Sequence, residues 1–166
     1  MKKRKFWGWG YADELLSAEE EKGIDSRIAK TFQLDDIDTL PIPKAKDIDL
    51  PKPRLGAPST LAKVLSEDKE ERLNHTYGKS FPDAARSLLK EFSSPPDLVA
   101  FPNTEDELIN VMDWCDESNI AVIPYGGGSS VCGGVETQVG DSYSGVVSLD
   151  LRNLNKIIEI DRESRS

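Results

Sequence analysis

The chain has 166 residues, a length that suits one ordinary domain, and a formal net charge of −9. Its 30 acidic side chains against 21 basic ones argue against a nucleic-acid partner, because phosphate contacts need clustered Lys and Arg. No apolar run approaches the roughly 20 residues of a membrane span, and the N-terminus lacks a signal-peptide pattern. Two cysteines, Cys115 and Cys132, are too few for a disulfide framework or a zinc site, so a cytoplasmic protein with reduced thiols is expected.

The first part of the chain is charged and punctuated by proline, and we interpret residues 1–70 as an extended N-terminal arm rather than a domain. Two short helices are predicted in this arm, over residues 13–22 and 27–34. Between residues 40 and 58, five prolines remove backbone donors and fix φ, so regular structure is not expected there. The basic run at residues 2–5 is interpreted as a solvated terminus.

The pattern becomes that of a globular unit at about residue 71. A helix is predicted over residues 81–92, because Pro82 is tolerated in a first turn and Ala84, Leu88 and Leu89 fall at helical spacing. A Ser-Pro-Pro sequence then breaks the chain before a short predicted strand at residues 97–101.

The clearest predicted helix follows that strand. Thr104 is its expected N-cap, and Glu107, three residues later, completes a capping box. Asn119 is expected to end the helix in a left-handed conformation. Four apolar residues share one face of the helix: Leu108, Val111, Met112 and Cys115.

A buried strand is predicted directly after this helix, over residues 120–124. A strand, a capped helix and a second strand favour a right-handed crossover, so the strands at residues 97–101 and 120–124 are expected to lie adjacent and parallel. Two further strands are predicted over residues 145–151 and 156–161. The predicted fold class is therefore α+β.

A glycine-rich loop follows the second strand, with the sequence YGGGSSVCGG. Without Cβ atoms the backbone can come close to a ligand, and successive N–H groups can converge on a phosphate. No Lys or Arg lies between Val122 and Glu136, so amide dipoles and the hydroxyl groups of Ser129 and Ser130 are expected to hold the anion. A flexible surface turn stays open as the alternative.

Two standard phosphate-binding motifs do not match this loop. A Walker A loop requires Lys and then Ser or Thr where Gly134 and Val135 stand. The dinucleotide fingerprint requires a third glycine where Val131 stands, and no amphipathic helix opens after it. The sequence therefore predicts a phosphate loop of another kind.

Residues 97–136 resemble the start of the flavin-binding domain of the vanillyl-alcohol oxidase/PCMH superfamily. In that superfamily a strand, a helix, a second strand and a Pro-x-Gly-Gly-Gly-Thr/Ser-Ser loop hold the FAD pyrophosphate. ERLNHTYGKSFPD, at residues 71–83, and FWGWGYADE, at residues 6–14, are similar to segments of the alkyldihydroxyacetonephosphate synthase-like branch. The resemblance implies that residues 71–166 are the N-terminal, incomplete part of a PCMH-type FAD-binding domain.

The resemblance also implies a function for the complete protein. It implies an FAD-dependent exchange of an acyl group for a fatty alcohol on a dihydroxyacetone phosphate ester, in ether lipid synthesis and without net redox change. An FAD-linked oxidoreductase acting on 2-hydroxy acids and an inactive remnant are the alternatives. In the family a separate cap carries the catalytic residues, so no catalytic or metal-binding residue is assigned, and the chain is interpreted as a front fragment that is inactive alone.

By the same resemblance, seven residues of the loop are expected to bind the cofactor: Pro124, Tyr125, Gly126, Gly127, Gly128, Ser129 and Ser130. None is a histidine, so FAD is expected to be non-covalent. The expected partners are FAD and a small-molecule or lipid-like substrate. A homodimer and a peripheral membrane contact stay open.

Five further side chains carry expectations of their own. His75 is more simply a structural or surface residue than an acid or base. Lys79 is expected to pair with an acidic neighbour rather than with a substrate phosphate. Cys132 is expected to be a small buried thiol beside the loop. Trp7 and Trp9 are expected to anchor the arm, with a membrane-facing role as the minority alternative.

Overall fold

The computed structural model describes residues 2–164 as four helices and a four-stranded sheet. The helices are α1 (Ala18–Phe32), α2 (Lys69–Asn74), α3 (Phe81–Leu88) and α4 (Glu105–Glu117), with one 3₁₀ turn at Ala45–Asp47. The strands are β1 (Leu65–Ser66), β2 (Leu98–Ala100), β3 (Ile120–Tyr125) and β4 (Gly145–Asp150). The α+β class expected from the sequence is confirmed.

The strands are arranged in the order β1-β2-β4-β3, with β2, β4 and β3 parallel and β1 antiparallel to β2. The main core lies where α4 covers this sheet. It contains Leu61, Val64, Leu65, Leu98, Ala100, Val111, Cys115, Ile120, Val147 and Leu149.

The expected adjacency of β2 and β3 is wrong, because β4 lies between them and pairs with both. Two properties of the strands explain this order. All six residues of β4 are buried, as a central strand of a parallel sheet requires. Pro124 in β3 has no N–H to donate to a ladder, so β3 suits the edge that it occupies.

The start of α4 is close to the prediction. The Thr104 hydroxyl oxygen accepts a hydrogen bond from the Glu107 N–H, but the Glu107 carboxylate accepts from the Asn103 N–H at 2.7 Å, so the second half of the box reaches one residue further back. Asn119 has φ 54°, which confirms the left-handed stop. Of the predicted apolar face, Val111 and Cys115 are buried and Leu108 is half-buried, whereas Met112 is exposed.

The prediction of two helices in the arm is wrong, because α1 is one continuous helix. Its start is fixed by Ser17, whose hydroxyl accepts from the Glu20 N–H while the Glu20 carboxylate accepts from the Ser17 N–H. This capping box begins the helix later than predicted, and Gly23 does not interrupt it. None of its residues is buried.

Helix α3 is shorter than predicted, and its buried positions are Asp83 and Ser87 rather than the apolar ones. Leu89 is exposed, and Phe81 is 86% exposed. The Asp83 carboxylate accepts from the Ser80 N–H and from Arg86, so polar contacts hold the inward face of this helix.

The predicted strand at residues 156–161 is not formed. Its apolar side chains, including Ile157, Ile158 and Ile160, are exposed. No strand in the described part of the chain pairs with this segment, and an isolated strand leaves its backbone groups to water.

A second apolar cluster joins the N-terminal residues to the rest of the chain. Phe6 and Ile48 pack there with Leu73, Tyr77 and Phe92. The division into residues 1–70 and 71–166 stays a prediction, with its ends at residues 1, 165 and 166 outside the described range. Strand β1 from the first range pairs with β2 from the second. None of the helices within residues 2–164 has the length and apolar character to cross a bilayer.

Candidate cofactor-binding site

The glycine loop lies at the carboxyl end of β3, beside the carboxyl end of β4. Tyr125 and Asp150, the last residues of these strands, are paired in register. In open sheets with parallel strands, ligands bind outside the carboxyl ends of the strands. The fold therefore places all seven predicted cofactor-binding residues at this edge.

The three consecutive glycines play different structural parts. Gly128 has φ +65°, and a Cβ there would lie 2.1 Å from the Tyr125 hydroxyl oxygen, so the fold itself requires glycine. At Gly126 a Cβ would meet nothing within 4 Å, and at Gly127 it would make only an ordinary contact with Ser129. Neither has a positive φ. These two glycines leave room for close approach of another molecule, since nothing in the described chain fills the space that their missing side chains leave.

The two serines of the loop also differ. The Ser130 hydroxyl oxygen already accepts a hydrogen bond from the Gly134 N–H at 3.1 Å, within the loop. Ser129 is exposed and lines a cavity of about 210 Å³. Ser129 therefore offers the more accessible hydroxyl to a ligand. Pro124 is exposed at the strand end.

Tyr125 supports the loop from beneath. Its ring centroid lies 4.2 Å from that of His75, and its hydroxyl donates to the Asn74 carbonyl oxygen at 3.0 Å. Burial, followed by the charge of Asp150, raises the pKa of Tyr125 to about 12. The phenol is therefore neutral over the physiological range and keeps this hydrogen bond.

A buried charged network lies next to Tyr125. His75 Nε2 lies 2.9 Å from Asp150 Oδ2, and Nδ1 lies 2.6 Å from the Glu71 carbonyl oxygen. Both ring nitrogens are therefore within hydrogen-bond distance of an oxygen acceptor. Burial opposes ionisation of Asp150, but hydrogen bonds from His75 and Arg152 outweigh it and hold the Asp150 pKa below its usual range. His75 thus has a structural place and is not a surface residue.

The segment after α2 shapes the other side of the loop. The Lys79 N–H donates to the Ser130 carbonyl oxygen at 2.7 Å. A Cβ at Gly78 would lie 2.2 Å from that same oxygen. Sequence reasoning did not assign these residues to the site, although both fall in the segment at residues 71–83 that carried the family resemblance.

The N-terminal arm lies against the outer side of the loop. Residues Arg4 and Tyr11 form an isolated antiparallel bridge, and the Arg4 guanidinium donates to the Gly127 carbonyl oxygen. The Trp9 indole N–H donates to the Lys79 carbonyl oxygen at 3.0 Å. The expectation that no cationic side chain serves the loop is therefore incomplete, because Arg4 comes from a distant part of the sequence.

Lys79 does not pair with an acidic neighbour, contrary to expectation. Its ammonium group donates to the Lys5 carbonyl oxygen at 2.9 Å and takes part in no ion pair within the described residues. Burial and then the charge of Arg4 lower the pKa of Lys79 to about 8, against a smaller opposing effect of Asp83.

This lowered pKa predicts a pH dependence of stability. Folding releases protons from Lys79 between its folded pKa of about 8 and its ordinary value of 10.5, so the free energy of unfolding should rise with pH across that window. Urea unfolding at pH 7 to 10 should show this rise in the parent and a smaller one in Lys79→Met. The exposed Lys22→Met variant serves as the control, and equal slopes in Lys79→Met and the parent would contradict the prediction.

The two cysteines differ in exposure. Cys115 is buried in the core as expected. Cys132 is exposed, so the expectation of a buried thiol is wrong: the loop turns outward there, with Gly133 at φ +78°. Hydrogen bonds from the Ser130 hydroxyl and then the Gly134 N–H hold the Cys132 pKa below its usual value.

Comparison with known proteins identifies a family that the segment containing the loop resembles. A family profile described as FAD binding domain matches residues 96–166. This segment of the chain is therefore similar to that family. FAD is accordingly its cofactor, and the open backbone at Gly126 and Gly127 and the Ser129 hydroxyl fit a diphosphate.

Relatives and solved structures are similar to a larger part of the chain. It is 35% identical over 122 residues to an alkyldihydroxyacetonephosphate synthase from Trypanosoma brucei brucei, covering 69% of this chain and 20% of the relative. A solved alkyldihydroxyacetonephosphate synthase structure superposes with a TM-score of 0.79 at 26% identity, over 96% of this chain and 34% of that one. Glycolate oxidase subunit GlcD of Bacillus subtilis is 29% identical over 61% of this chain and 22% of its own length. The resemblance to the synthase-like branch is thereby confirmed, while the chain spans about a fifth to a third of these proteins.

Proposed function

We propose that the glycine loop binds the diphosphate of FAD through residues 124–130. The observation that carries this proposal is the pair of exposed glycines, Gly126 and Gly127, whose missing side chains have no internal explanation. Backbone N–H groups and the Ser129 hydroxyl would hold the anion, and Gly128, Ser130 and Tyr125 would keep the loop in shape. Residues 71–166 would thus form the first part of the FAD-binding domain, with residues 1–70 as an arm against it.

We propose that the complete protein acts in the manner of an alkyldihydroxyacetonephosphate synthase, transferring an alkyl group to a dihydroxyacetone phosphate substrate. Similarity to that synthase in sequence and in structure supports this proposal. Bound FAD would supply the reactive isoalloxazine ring. The described residues would bind and orient the cofactor through its diphosphate, and the catalytic groups would belong to other parts of the protein.

An FAD-linked oxidoreductase acting on 2-hydroxy acids is the second candidate, supported by similarity to the glycolate oxidase subunit. An activity assay separates the two. With an acylated dihydroxyacetone phosphate and a labelled fatty alcohol, we expect a labelled ether product without consumption of an electron acceptor. Reduction of a dye acceptor by glycolate or D-lactate, with no ether formed, would replace the first proposal by the second.

We also propose a cytoplasmic location and a lipid-like substrate. Two free thiols and the synthase relatives support these assignments. Trp7 and Trp9 pack or hydrogen-bond within the chain, which supports their role as anchors of the arm. Peripheral membrane contact and a homodimer stay predictions.

FAD should be released from the polypeptide by acid precipitation. His75 is the single histidine of this chain and is fully buried with both ring nitrogens engaged, so this chain offers no imidazole for a covalent link. After precipitation the yellow colour is expected in the supernatant. Colour retained in the pellet would contradict this, and its loss in Cys132→Ala would then identify a cysteinyl link at the exposed thiol.

A further inference from the structure

Two basic side chains next to the glycine loop lack acidic partners. Among the described residues, neither Arg4 nor Lys79 takes part in an ion pair, although the chain carries a net charge of −9 and two of the N-terminal lysines, Lys2 and Lys3, do. Each instead donates one hydrogen bond to a backbone carbonyl oxygen, of Gly127 and of Lys5 respectively. A guanidinium has five N–H donors and an ammonium three, so most of their donors are uncommitted to the chain.

Arg4 and Lys79 line the same cavity of about 210 Å³, together with Gly127 and Ser129 of the loop. A second cavity of about 480 Å³ shares Arg4 and extends to Gly126. Both donors therefore line the space beside Gly127. Only Arg4 also lines the cavity that reaches Gly126, and the lining of that cavity includes Glu70, Glu71 and Asp150. The volume of the second cavity falls within the range of small-molecule sites, roughly 300–1,000 Å³.

The electrostatics also favour an anion here. Two like charges held against one cavity repel each other, and the repulsion contributes, after burial, to the lowered pKa of Lys79. Asp83 is the acidic group whose charge raises the pKa of Lys79. Its carboxylate, however, already accepts hydrogen bonds from Arg86 and from the Ser80 N–H at the start of α3. An anion placed between the two cations would relieve the repulsion that no side chain of the described chain neutralises.

We propose that Arg4 and Lys79 form a phosphate clamp across the glycine loop, with the N-terminal arm delivering the cation that the loop itself lacks. The ligand is a phosphate ester, taken either from the FAD diphosphate or from a phosphorylated substrate that lies beside it. Only the choice between these sources rests on the proposed function. The clamp itself rests on the positions of the two cations.

The test uses flavin-free protein titrated calorimetrically with inorganic pyrophosphate, FAD and riboflavin. Arg4→Gln and Lys79→Gln should each weaken pyrophosphate binding about tenfold, because each removes a charge-assisted hydrogen bond. Lys79→Arg should retain most of the binding. Lys22→Gln removes the same charge from the exposed helix α1 and should change binding less than about twofold, the scale of a screened distant charge.

Binding of FAD, riboflavin and inorganic phosphate distinguishes whether the clamp holds the FAD diphosphate or a substrate phosphate. If the clamp holds the flavin diphosphate, the variants lose affinity for FAD but not for riboflavin, and FAD-loaded protein no longer binds inorganic phosphate. If it holds a substrate phosphate, FAD affinity is unchanged, FAD-loaded protein binds phosphate, and the variants lose that binding. Pyrophosphate binding with no FAD binding would leave the clamp standing and contradict the proposed function.

Unchanged binding of pyrophosphate, FAD and phosphate in Arg4→Gln would overturn the clamp. Arg4 is exposed, so this variant should fold, which circular dichroism would verify. It therefore keeps the proposal testable even if Lys79→Gln, at a more enclosed position, is too unstable to purify.

Discussion

Gly78→Ala is expected to lose both stability and FAD affinity, although Gly78 is outside the glycine loop. The new Cβ would lie 2.2 Å from the Ser130 carbonyl oxygen and 3.0 Å from its carbon, and these are backbone atoms that cannot rotate away. The loop or the segment holding Lys79 must therefore move apart. Overpacking of this kind costs about 1–3 kcal/mol. If the displaced loop must return to bind the diphosphate, FAD affinity should fall roughly ten- to a hundredfold.

Two other glycines supply matched controls for this prediction. A Cβ at Gly126 or Gly140 would meet nothing within 4 Å. Gly126→Ala should keep the melting temperature and still weaken FAD binding, because its side chain fills the space proposed for the ligand. Gly140→Ala should change neither. A Gly78→Ala protein with parental melting temperature and FAD affinity would show that the segment does not set the shape of the loop.

The parts of the fold that could be predicted are those decided by neighbours in sequence. The Thr104 N-cap and the left-handed Asn119 depend on contacts within a few residues, so both are visible in the sequence. The glycine loop could also be predicted from its neighbours, since the strand directly before it indicates a ligand-binding role. Strand order is not local, and the crossover rule gave the parallel direction but not the neighbour. Pro124 and the apolar residues Val146, Val147 and Leu149 of β4 carried the missing information, because a proline favours an edge and apolar residues on both faces favour the centre.

Buried polar residues account for a second group of wrong sequence-based predictions. In α3 the apolar pattern pointed outward, and Asp83 and Ser87 are buried because hydrogen bonds satisfy Asp83 there. His75 likewise gave no sequence signal that its ring would meet Asp150, 75 residues later. Hydrophobic periodicity cannot locate such positions, since the compensating partner comes from another element.

The N-terminal arm contacts the candidate site through residues that are distant in sequence, so its contribution could not be predicted either. Arg4 reaches Gly127 across 123 residues of sequence, so a search for basic residues within the loop could not find it. The basic run at residues 2–5 was interpreted as solvated, yet Lys2 and Lys3 pair with acidic side chains and Arg4 donates to the loop. Lys5 donates to the Glu14 carbonyl oxygen. Because Trp9 also hydrogen-bonds Lys79, the arm and the segment after α2 act together as one wall of the site.

The opposite support of the loop is the buried pair of His75 and Asp150, and Asp150→Asn is expected to have the largest effect on stability. Asp150 Oδ2 accepts from the His75 Nε2–H and from Arg152, and Oδ1 accepts from the Arg152 backbone N–H. An asparagine offers one oxygen, so its NH₂ group must face donors, and the Arg152 guanidinium loses its buried counter-charge. Breaking one side of a buried ion pair costs about 3–5 kcal/mol.

The free energy of unfolding at acid pH provides a second measurement for this prediction. The folded-state pKa of Asp150 lies below its ordinary value of 3.8, so its contribution is present above that value and is lost as pH falls through the lowered folded pKa. Urea unfolding at pH 7 should show the full loss in Asp150→Asn, and the parent should lose stability below about pH 4 more steeply than the variant. Asp113→Asn, at an exposed position of α4, controls for removal of a carboxylate. If Asp150→Asn and Asp113→Asn unfold at the same urea concentration, the buried pair does not support β4 and the loop, and Tyr125 would have to be held by its hydrogen bond to Asn74 alone.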